Sequence, residues 1–322
     1  MQSVFRRVFR APDQAIDFGT AFLRVSAGHD GTIVERRSAV APASPARGMP
    51  QTVRSAVRNG VICDLDLAVS VLAPVMRQLR GRLVAPRVLT CVPSNSSAEE
   101  RATLAEATRA AGASEVALVA EPLASAIGAG LPTGESHARL LVDIGDGVTD
   151  LAVIRDGEVI VGRSLRAACG ALREALVEYV RQRHEVDVDL DQADDLVASY
   201  GRIPQSGTRS SAHASAWRVG SNKPVKLLLP HDEILAATET VEESIVGFVA
   251  NEVRALPDGI AVEVIESGLL VAGGGALLSR LVSGIDARTG LHVRTARDPL
   301  RATITGVRAM LPVAAKTGLW DA

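Results

Sequence analysis

Apolar positions along the chain fall into two periods, and the switches between them mark out the elements. Residues 15–25 and 31–40 carry short apolar runs of strand length. From Val61 to Leu83 the spacing turns helical, with Leu65, Val69, Leu72, Val75, Met76 and Leu79 on one stripe. Arg87 to Val92 reads as a buried strand stopped by Pro93. Ser97-Ala-Glu-Glu100 sets a capping hydroxyl ahead of two acids, which predicts a helix start; Gly112 ends that helix. Val116 to Val119 is a short strand, and Glu121-Pro122 opens a helix of small residues from Leu123 to Ala129. Leu131-Pro-Thr-Gly-Glu135 reads as a hinge.

The order then repeats. A hairpin spans 140–154, a strand 158–165, and helices lie near 171–183 and 190–200. The Ser/Gly/Pro-rich stretch 202–224 predicts loops or weak strands, and a helix runs from about Asp232 to Arg254. Leu269 to Leu278 is strand, glycine turn and helix start, and the tail ends in a helix near 299–311. Strands alternating with helices predict α/β layers. Residues 41–58, rich in Pro, Ala, Ser and Arg, read as a loop or a reduced subdomain. In residues 2–10, Val4, Phe5, Val8 and Phe9 share one helical face, with Arg6, Arg7 and Arg10 off it. That pattern suits an interfacial membrane anchor, and equally a helix docked on its own domain.

Composition narrows the function classes. The 322 residues are 47% hydrophobic and 22% charged, enough for a sizeable core or two. Aromatics are 3% and the net charge is −2, so neither base stacking nor a global basic field supports nucleic-acid binding. Cys63, Cys91 and Cys169 are scattered, which fits a reducing cytosol rather than a disulfide framework or a thiolate metal site. No stretch has the length of a membrane span, so a cytoplasmic location is expected.

The chemistry concentrates at turns. Asp143-Ile-Gly-Asp-Gly-Val-Thr149 sits at the tip of the 140–154 hairpin. Glycine lets backbone approach a phosphate, and turn N–H groups can cradle it. A carboxylate at the strand end can hold hydrated Mg²⁺. Asp17-Phe-Gly-Thr20 is a second copy, so Asp17 and Asp143 read as a pair flanking a metal-bound phosphate. Gly273-Gly-Gly275 forms a strand-to-helix turn that either presents N–H groups to an anion or packs helix on strand. Glu121 is either a helix N-terminal acid or a carboxylate orienting a water.

In chain order, Asp17-Phe-Gly-Thr20, the run Glu121 to Pro132, Asp143 to Asp150 and Ala272-Gly-Gly-Gly-Ala-Leu-Leu278 resemble the actin-like ATPase superfamily. Within it the chain is most similar to the bacterial actin homologue MreB and its MreB-like paralogues, with support from Asn59 to Asp64, Cys91-Val-Pro93 and Glu99 to Ala113. The resemblance implies an α/β actin-like fold of duplicated ribonuclease-H-like domains facing a nucleotide cleft. It places an amphipathic segment at 1–10, a first half at 11–133 completed by 300–322, and a second half at 134–299. The small subdomains would be 41–58, shortened, and about 168–232. It implies ATP and Mg²⁺ as ligands, held by Asp17, Gly19, Thr20, Asp143, Gly145, Gly147 and the turn Gly273, Gly274, Gly275 and Ala276, with Asp17 and Asp143 reaching Mg²⁺ through water. Glu121 and a hairpin threonine would be catalytic. It also implies self-association or co-polymerisation with another MreB-like protein at the inner membrane surface, alongside the cell-wall synthesis machinery.

The departures from that pattern are specific. Phe22 and Leu23 replace polar residues of the first hairpin, and Val148 stands where the catalytic threonine is expected. Asp146 replaces a glycine; one repulsion with a phosphate at ~4 Å is worth ~4 kcal/mol at an effective dielectric of ~20. Ala168-Cys169-Gly170 replaces Gly-Gly-Asp, and Asp194 and Val197 replace the nucleoside-binding Glu and Lys. The reading is a cell-shape scaffold with weak or absent ATP hydrolysis. One alternative is an active ATPase using Thr149 in place of the missing threonine, which requires a bulge or altered turn. Another is a small-molecule kinase on the same fold.

Overall fold

The computed structural model describes residues 13–27, 31–40, 54–79, 84–204, 206, 210–221, 223–317 and 319–321. The segment 2–10, with Val4, Phe5, Val8 and Phe9, lies outside the described residues, as does most of 41–58.

The first half opens with β1 (Gln14–Phe18), β2 (Phe22–Ala27) and β3 (Ile33–Arg37), an antiparallel meander. Short ladders follow: β4 (Ala39–Val40) with β5 (Arg54–Ser55), and β6 (Val57–Arg58) with β7 (Val61–Ile62). Helix α1 (Leu65–Leu79) turns Leu72, Val75 and Met76 into the core. After it come β8 (Arg87–Val92), α2 (Ala98–Ala110) and β9 (Glu115–Ala120). The capping box read from the sequence is present: the Glu100 amide donates to the Ser97 hydroxyl at 3.1 Å, and the Ser97 amide donates to the Glu100 carboxylate at 3.0 Å. The sheet order is β3-β2-β1-β8-β9, with β8 and β9 parallel to β1.

Helix α3 (Glu121–Gly128) leads into the second half, where β10 (Arg139–Ile144), β11 (Thr149–Arg155) and β12 (Glu158–Leu165) form the same meander. Then come α4 (Cys169–His184), β13 (Val186–Asp187), α5 (Leu190–Arg202), β14 (Ser211–Arg218), β15 (Pro224–Pro230), α6 (His231–Arg254), α7 (Asp258–Ser267) and β16 (Leu269–Ala272). A 3₁₀ turn over Gly274–Leu277, α8 (Ser279–Thr289), β17 (Val293–Thr295) and α9 (Ala302–Thr317) follow. The second sheet runs β12-β11-β10-β16-β17, again with two parallel strands beside the hairpin. Two sheets of the same order and sense are a duplicated α/β fold.

The expectation of loops or weak strands over 202–224 is corrected in part: β14 and β15 form a regular hairpin. Its inward positions are Ala212, Ala214 and Ala216, whose small side chains give little hydrophobic contrast in the sequence. Helices α3 and α9 cross between the two sheets, with Ala124 and Ile304 packed toward the first and Ala126 and Ala302 toward the second. A Cβ on Gly128 would lie 1.8 Å from the Ala302 carbonyl oxygen, and one on Gly306 would lie 1.7 Å from that of Ala124. Backbone therefore touches backbone, and α9 returns from the second sheet to pack on β1. Among the described residues, no helix is long and apolar enough to cross a membrane.

Candidate functional site

The matched sheets bring their hairpin tips face to face across a cleft with a cavity of about 660 Å³. That is ample for a nucleotide-sized ligand. Asp17, Gly19 and Thr20 line it from the first half, and Asp143, Gly145 and Gly147 from the second. Gly147 is held close: a Cβ there would come within 2.4 Å of the Thr20 hydroxyl and 2.7 Å of Asn59 Cα. Thr20 Oγ1 in turn accepts a 3.1 Å hydrogen bond from the Gly60 amide. Glu121 lines the same cavity from the first turn of α3, so it is at once a helix N-terminal acid and a carboxylate available to the cleft.

The glycine turn divides. Gly273 and Gly274 line the cavity, and Gly273 has a φ of +75° that favours glycine. A Cβ on Gly273 would meet Asp143 Oδ1 at 2.3 Å. Gly275 and Ala276, expected at the ligand, do not line the cavity. Gly275 faces Ile144, where a Cβ would come within 2.4 Å of Cγ2, so it serves helix-on-strand packing, and Ala276 is buried beside it.

Thr149 is also turned away. Its buried hydroxyl donates to the Ala167 carbonyl at 2.8 Å, outside the cleft lining. Successive residues of an extended strand face opposite sides, so with Val148 in the cavity wall Thr149 must point the other way. The bulge or altered turn that would bring it round is absent at this end of the ladder, where Ile144 pairs regularly with Thr149. Val148 instead packs with Pro93 against Gly60 of the first half.

Asp150, buried next to the site but not in its lining, is an acid that the sequence reading missed. It pairs directly with Asp143 across the hairpin, a like-charge placement that a structural ladder avoids. In the first hairpin the same offset places Arg24 opposite Asp17, and the two bond at 3.3 Å. Burial pushes the Asp17 carboxyl up to about 6, with Arg24 opposing the rise and Asp143 adding to it. Burial likewise lifts Asp150 to about 6 despite a hydrogen bond from Ser164, with Asp143 again adding. Glu121 is raised well above its ordinary range by burial and by Asp150, Asp17 and Asp143. Asp143 is raised by burial, while the Thr303 hydroxyl, 3.3 Å away, opposes. Asp17, Glu121 and Asp143 line the cleft as hard-oxygen donors suited to hydrated Mg²⁺, with Asp150 opposite Asp143 outside the lining. Among the described residues no three ligating side chains converge tightly enough for direct coordination.

Arginines form the second unforeseen feature. Arg173 of α4 donates to both oxygens of Asp146 at 2.8 and 2.9 Å and to Asp194 at 2.8 Å. The bare Asp146 charge expected beside the phosphates is therefore paired, and the full repulsion assigned to it does not apply. Arg37 of β3 reaches across the cleft to Asp191 at 2.9 Å and Asp194 at 3.3 Å. Arg166, from the second half, bonds the Asn59 carbonyl at 2.9 Å and Glu100 at 2.8 and 3.0 Å. Cys169, Asp194 and Val197 all line the cavity, and burial pushes the Cys169 thiol up to about 12.

Comparison with known proteins agrees with this architecture. The sequence profile of the MreB/Mbl protein family matches residues 47–318. The cell shape-determining protein MreB of Escherichia coli (strain K12) is 30% identical over 329 aligned positions, covering 95% of this chain and 94% of that protein. The cell shape-determining protein Mbl of Bacillus subtilis (strain 168) is 25% identical, over 94% of this chain and 96% of that one. Among solved structures, MreB5 of Spiroplasma citri bound to AMPPNP superposes with a TM-score of 0.84 at 22% identity, covering 96% of this chain and 98% of that one. The MamK double helical filament superposes with a TM-score of 0.75 at 19% identity, over 95% and 99%. With two sheets of one topology, paired Asp-x-Gly hairpins and a profile match across most of its length, this chain has the actin-like fold and belongs to the MreB/Mbl family.

Proposed function

We propose that this chain is a cytoskeletal cell-shape protein that binds an adenine nucleotide in its cleft and hydrolyses it slowly or not at all. The observation that carries the second part is the side-chain arrangement at the second hairpin. Val148 faces the cavity without a hydroxyl, and the hydroxyl of Thr149 is spent on the Ala167 carbonyl. A valine can neither orient an attacking water nor donate to a phosphate. Binding is supported by the retained Asp17, Asp143, Gly145, Gly147 and Gly273, and by MreB5 of Spiroplasma citri, a structural neighbour solved with AMPPNP and with ADP. Bound Mg²⁺ would supply charge neutralisation for the phosphates, with Asp17 and Asp143 orienting its water shell. Glu121 lines the cavity where it can orient a water and accept its proton, and burial with the neighbouring acids raises its pKa, which strengthens its carboxylate as a base.

The wider role follows from the relatives. Proteins named for determining cell shape, and a filament-forming structural neighbour, support self-association of this chain or co-polymerisation with another MreB-like protein. We place that assembly at the inner membrane surface, held by residues 2–10 and guiding cell-wall synthesis.

The test is nucleotide binding by fluorescence titration alongside phosphate release. Binding of ATP with turnover far below that of the Escherichia coli relative is expected, and Val148→Thr should raise turnover while Thr149→Ala leaves it unchanged. Turnover equal to the relative's, or its loss in Thr149→Ala, would overturn the reading. Deleting residues 2–10 should release the protein from anionic liposomes; undiminished co-sedimentation would remove the membrane part.

A further inference from the structure

We infer that Arg173 is a phosphate-binding residue of the cleft, with Asp146 setting how much of its charge a ligand meets. The inference rests on the nucleotide reading above and names the group that recognises the phosphate chain.

The first hairpin turns Phe22 into the cavity and the second turns Val148, so the usual side-chain donors beside the phosphate turns are few. Among the described residues, the cations lining the cleft are Arg24, Arg37, Arg173 and Arg202. Arg24 is bonded to Asp17 and to Glu35, on the acid floor rather than at the second hairpin tip. Arg37 stands on the rim in contact with Asp191 and Asp194, and Arg202 is exposed at the mouth. Arg173 alone of the four bonds the tip itself, through Asp146, between the two cavity-facing glycines Gly145 and Gly147. Its side chain is only 17% exposed and faces the cavity, so its charge is poorly screened by solvent.

A guanidinium has five N–H donors. The two carboxylates accept three hydrogen bonds from Arg173, which leaves donors for a further anion. The main chain of Asp146 is held as well: its carbonyl accepts a 2.7 Å hydrogen bond from the Gly170 amide. The carboxylate is bonded through both oxygens to Arg173 and is only 14% exposed, so it stays beside the arginine when a phosphate arrives. It stays as a counter-charge that holds Arg173 in position and offsets part of its attraction for the ligand. Removing the arginine leaves that carboxylate bare beside the phosphates; removing the carboxylate frees the arginine for them.

This gives a pattern that a purely structural triad between α4 and α5 does not. Affinities for adenosine, ADP and ATP, the nucleotides with Mg²⁺, are measured on the full chain and on Arg173→Ala, Arg173→Lys, Asp146→Asn and the double variant Arg173→Ala/Asp146→Asn. Arg173→Ala should weaken ADP and ATP by roughly 10- to 100-fold, the range of one charge-assisted hydrogen bond, while adenosine changes less than about 2-fold. Arg173→Lys should recover part of that loss. Asp146→Asn should tighten ADP and ATP by about 3- to 10-fold and leave adenosine alone, and the double variant should bind better than Arg173→Ala. Equal losses for all three ligands in Arg173→Ala, or no loss for ADP and ATP, would overturn the inference. If Arg173→Ala does not fold, Asp146→Asn decides: unchanged or weaker ADP and ATP binding would overturn it. A native chain that binds none of the three would overturn the nucleotide reading and this inference with it.

Discussion

Replacing Gly128 by alanine tests the crossing of α3 and α9. Gly128 lies in the last turn of α3 with ordinary helical backbone, so its own conformation does not ask for glycine. In an isolated helix the change would stabilise by about 1 kcal/mol. In this molecule the new Cβ would stand 1.8 Å from the Ala302 carbonyl oxygen and 2.6 Å from the Gly306 nitrogen. Contacts under 3.0 Å do not occur for real Cβ atoms, so α9 would have to withdraw by about 1.2 Å. Both obstructing atoms are main chain, and no change of rotamer relieves them. Overpacking costs ~1–3 kcal/mol where side chains can yield, so a main-chain clash belongs at ~3 kcal/mol or above. Net of the helical gain the loss is ~2 kcal/mol, which lowers the Tm of a chain of 322 residues by ~3 °C. Gly306→Ala should behave alike, since its Cβ would meet the Ala124 carbonyl oxygen at 1.7 Å. The double variant should lose less than the sum, because the separation forced by one alanine makes room for the other. Thermal melting monitored by circular dichroism reads all three, and an unchanged or raised Tm in both single variants would refute the crossing.

Other expectations concern the cleft. Asp17 and Asp150, at about 6, sit above the ~3.9 of an unfolded aspartate, so between these values the folded chain binds more protons than the unfolded one. Their cost to stability is full above pH ~6 and fades as pH falls toward ~4. In metal-free buffer the native chain should therefore gain stability relative to Asp150→Asn between roughly pH 7 and 5; a flat difference would count against the buried acid floor. The Cys169 thiol, pushed up to about 12, should stay protonated near pH ~8. A thiol reagent should then modify exposed Cys63 first, react slowly with the half-buried Cys169 of the cavity lining because its thiol stays protonated, and spare buried Cys91 until denaturant is added; labelling of Cys169 as fast as Cys63 would contradict its raised pKa. Arg37→Ala cuts the strap from β3 to α5, a partly exposed contact worth ~0–1 kcal/mol, so bound nucleotide should leave up to about fivefold faster at low salt. High salt should erase the difference, and equal rates at low salt would show that the strap does not restrain the cleft.

The parts of this molecule legible in the sequence are those written in local pattern. The paired hairpins, the Ser97 cap and the strand-to-helix glycine turn each show within a dozen residues. What escaped has a physical reason in each case. The β14–β15 hairpin buries alanines, so its period of two carries almost no contrast between Ala212 or Ala214 and the exposed His213 and Ser215. The arginine network depends on pairings separated by 154 residues for Arg37 with Asp191 and 27 for Arg173 with Asp146, which no local pattern encodes. Asp150 reads as one more polar residue after the turn until the ladder register sets it opposite Asp143. Thr149 was open to inspection: strand alternation alone places it and Val148 on opposite faces. Gly275 looked like its neighbours Gly273 and Gly274, and only the position of Ile144 separates a packing glycine from a ligand glycine.

Val148 joins the cleft's chemistry to its cohesion. Valine and threonine share a branched Cβ, and the branches of such a residue point in two fixed directions. One branch of Val148, Cγ2, lies against Gly60, beside the ring of Pro93, so the second hairpin is tied to the first half by an apolar contact. Val148 also lines the cavity. A threonine that keeps its methyl toward Gly60 retains the contact and offers its hydroxyl to the ligand. One that turns its hydroxyl toward Gly60 and Pro93 loses the contact and leaves a polar group unpaired, a cost of ~1–3 kcal/mol. The packing thus favours the threonine rotamer that serves chemistry. Loss of the hydroxyl in this chain is accordingly not forced by the fold around it, because the wall built by Gly60 and Pro93 would accept either residue. The same wall explains why a serine at this position would be a poorer probe: it has one branch only, and would have to give up the cross-cleft contact or the hydroxyl's place in the cavity.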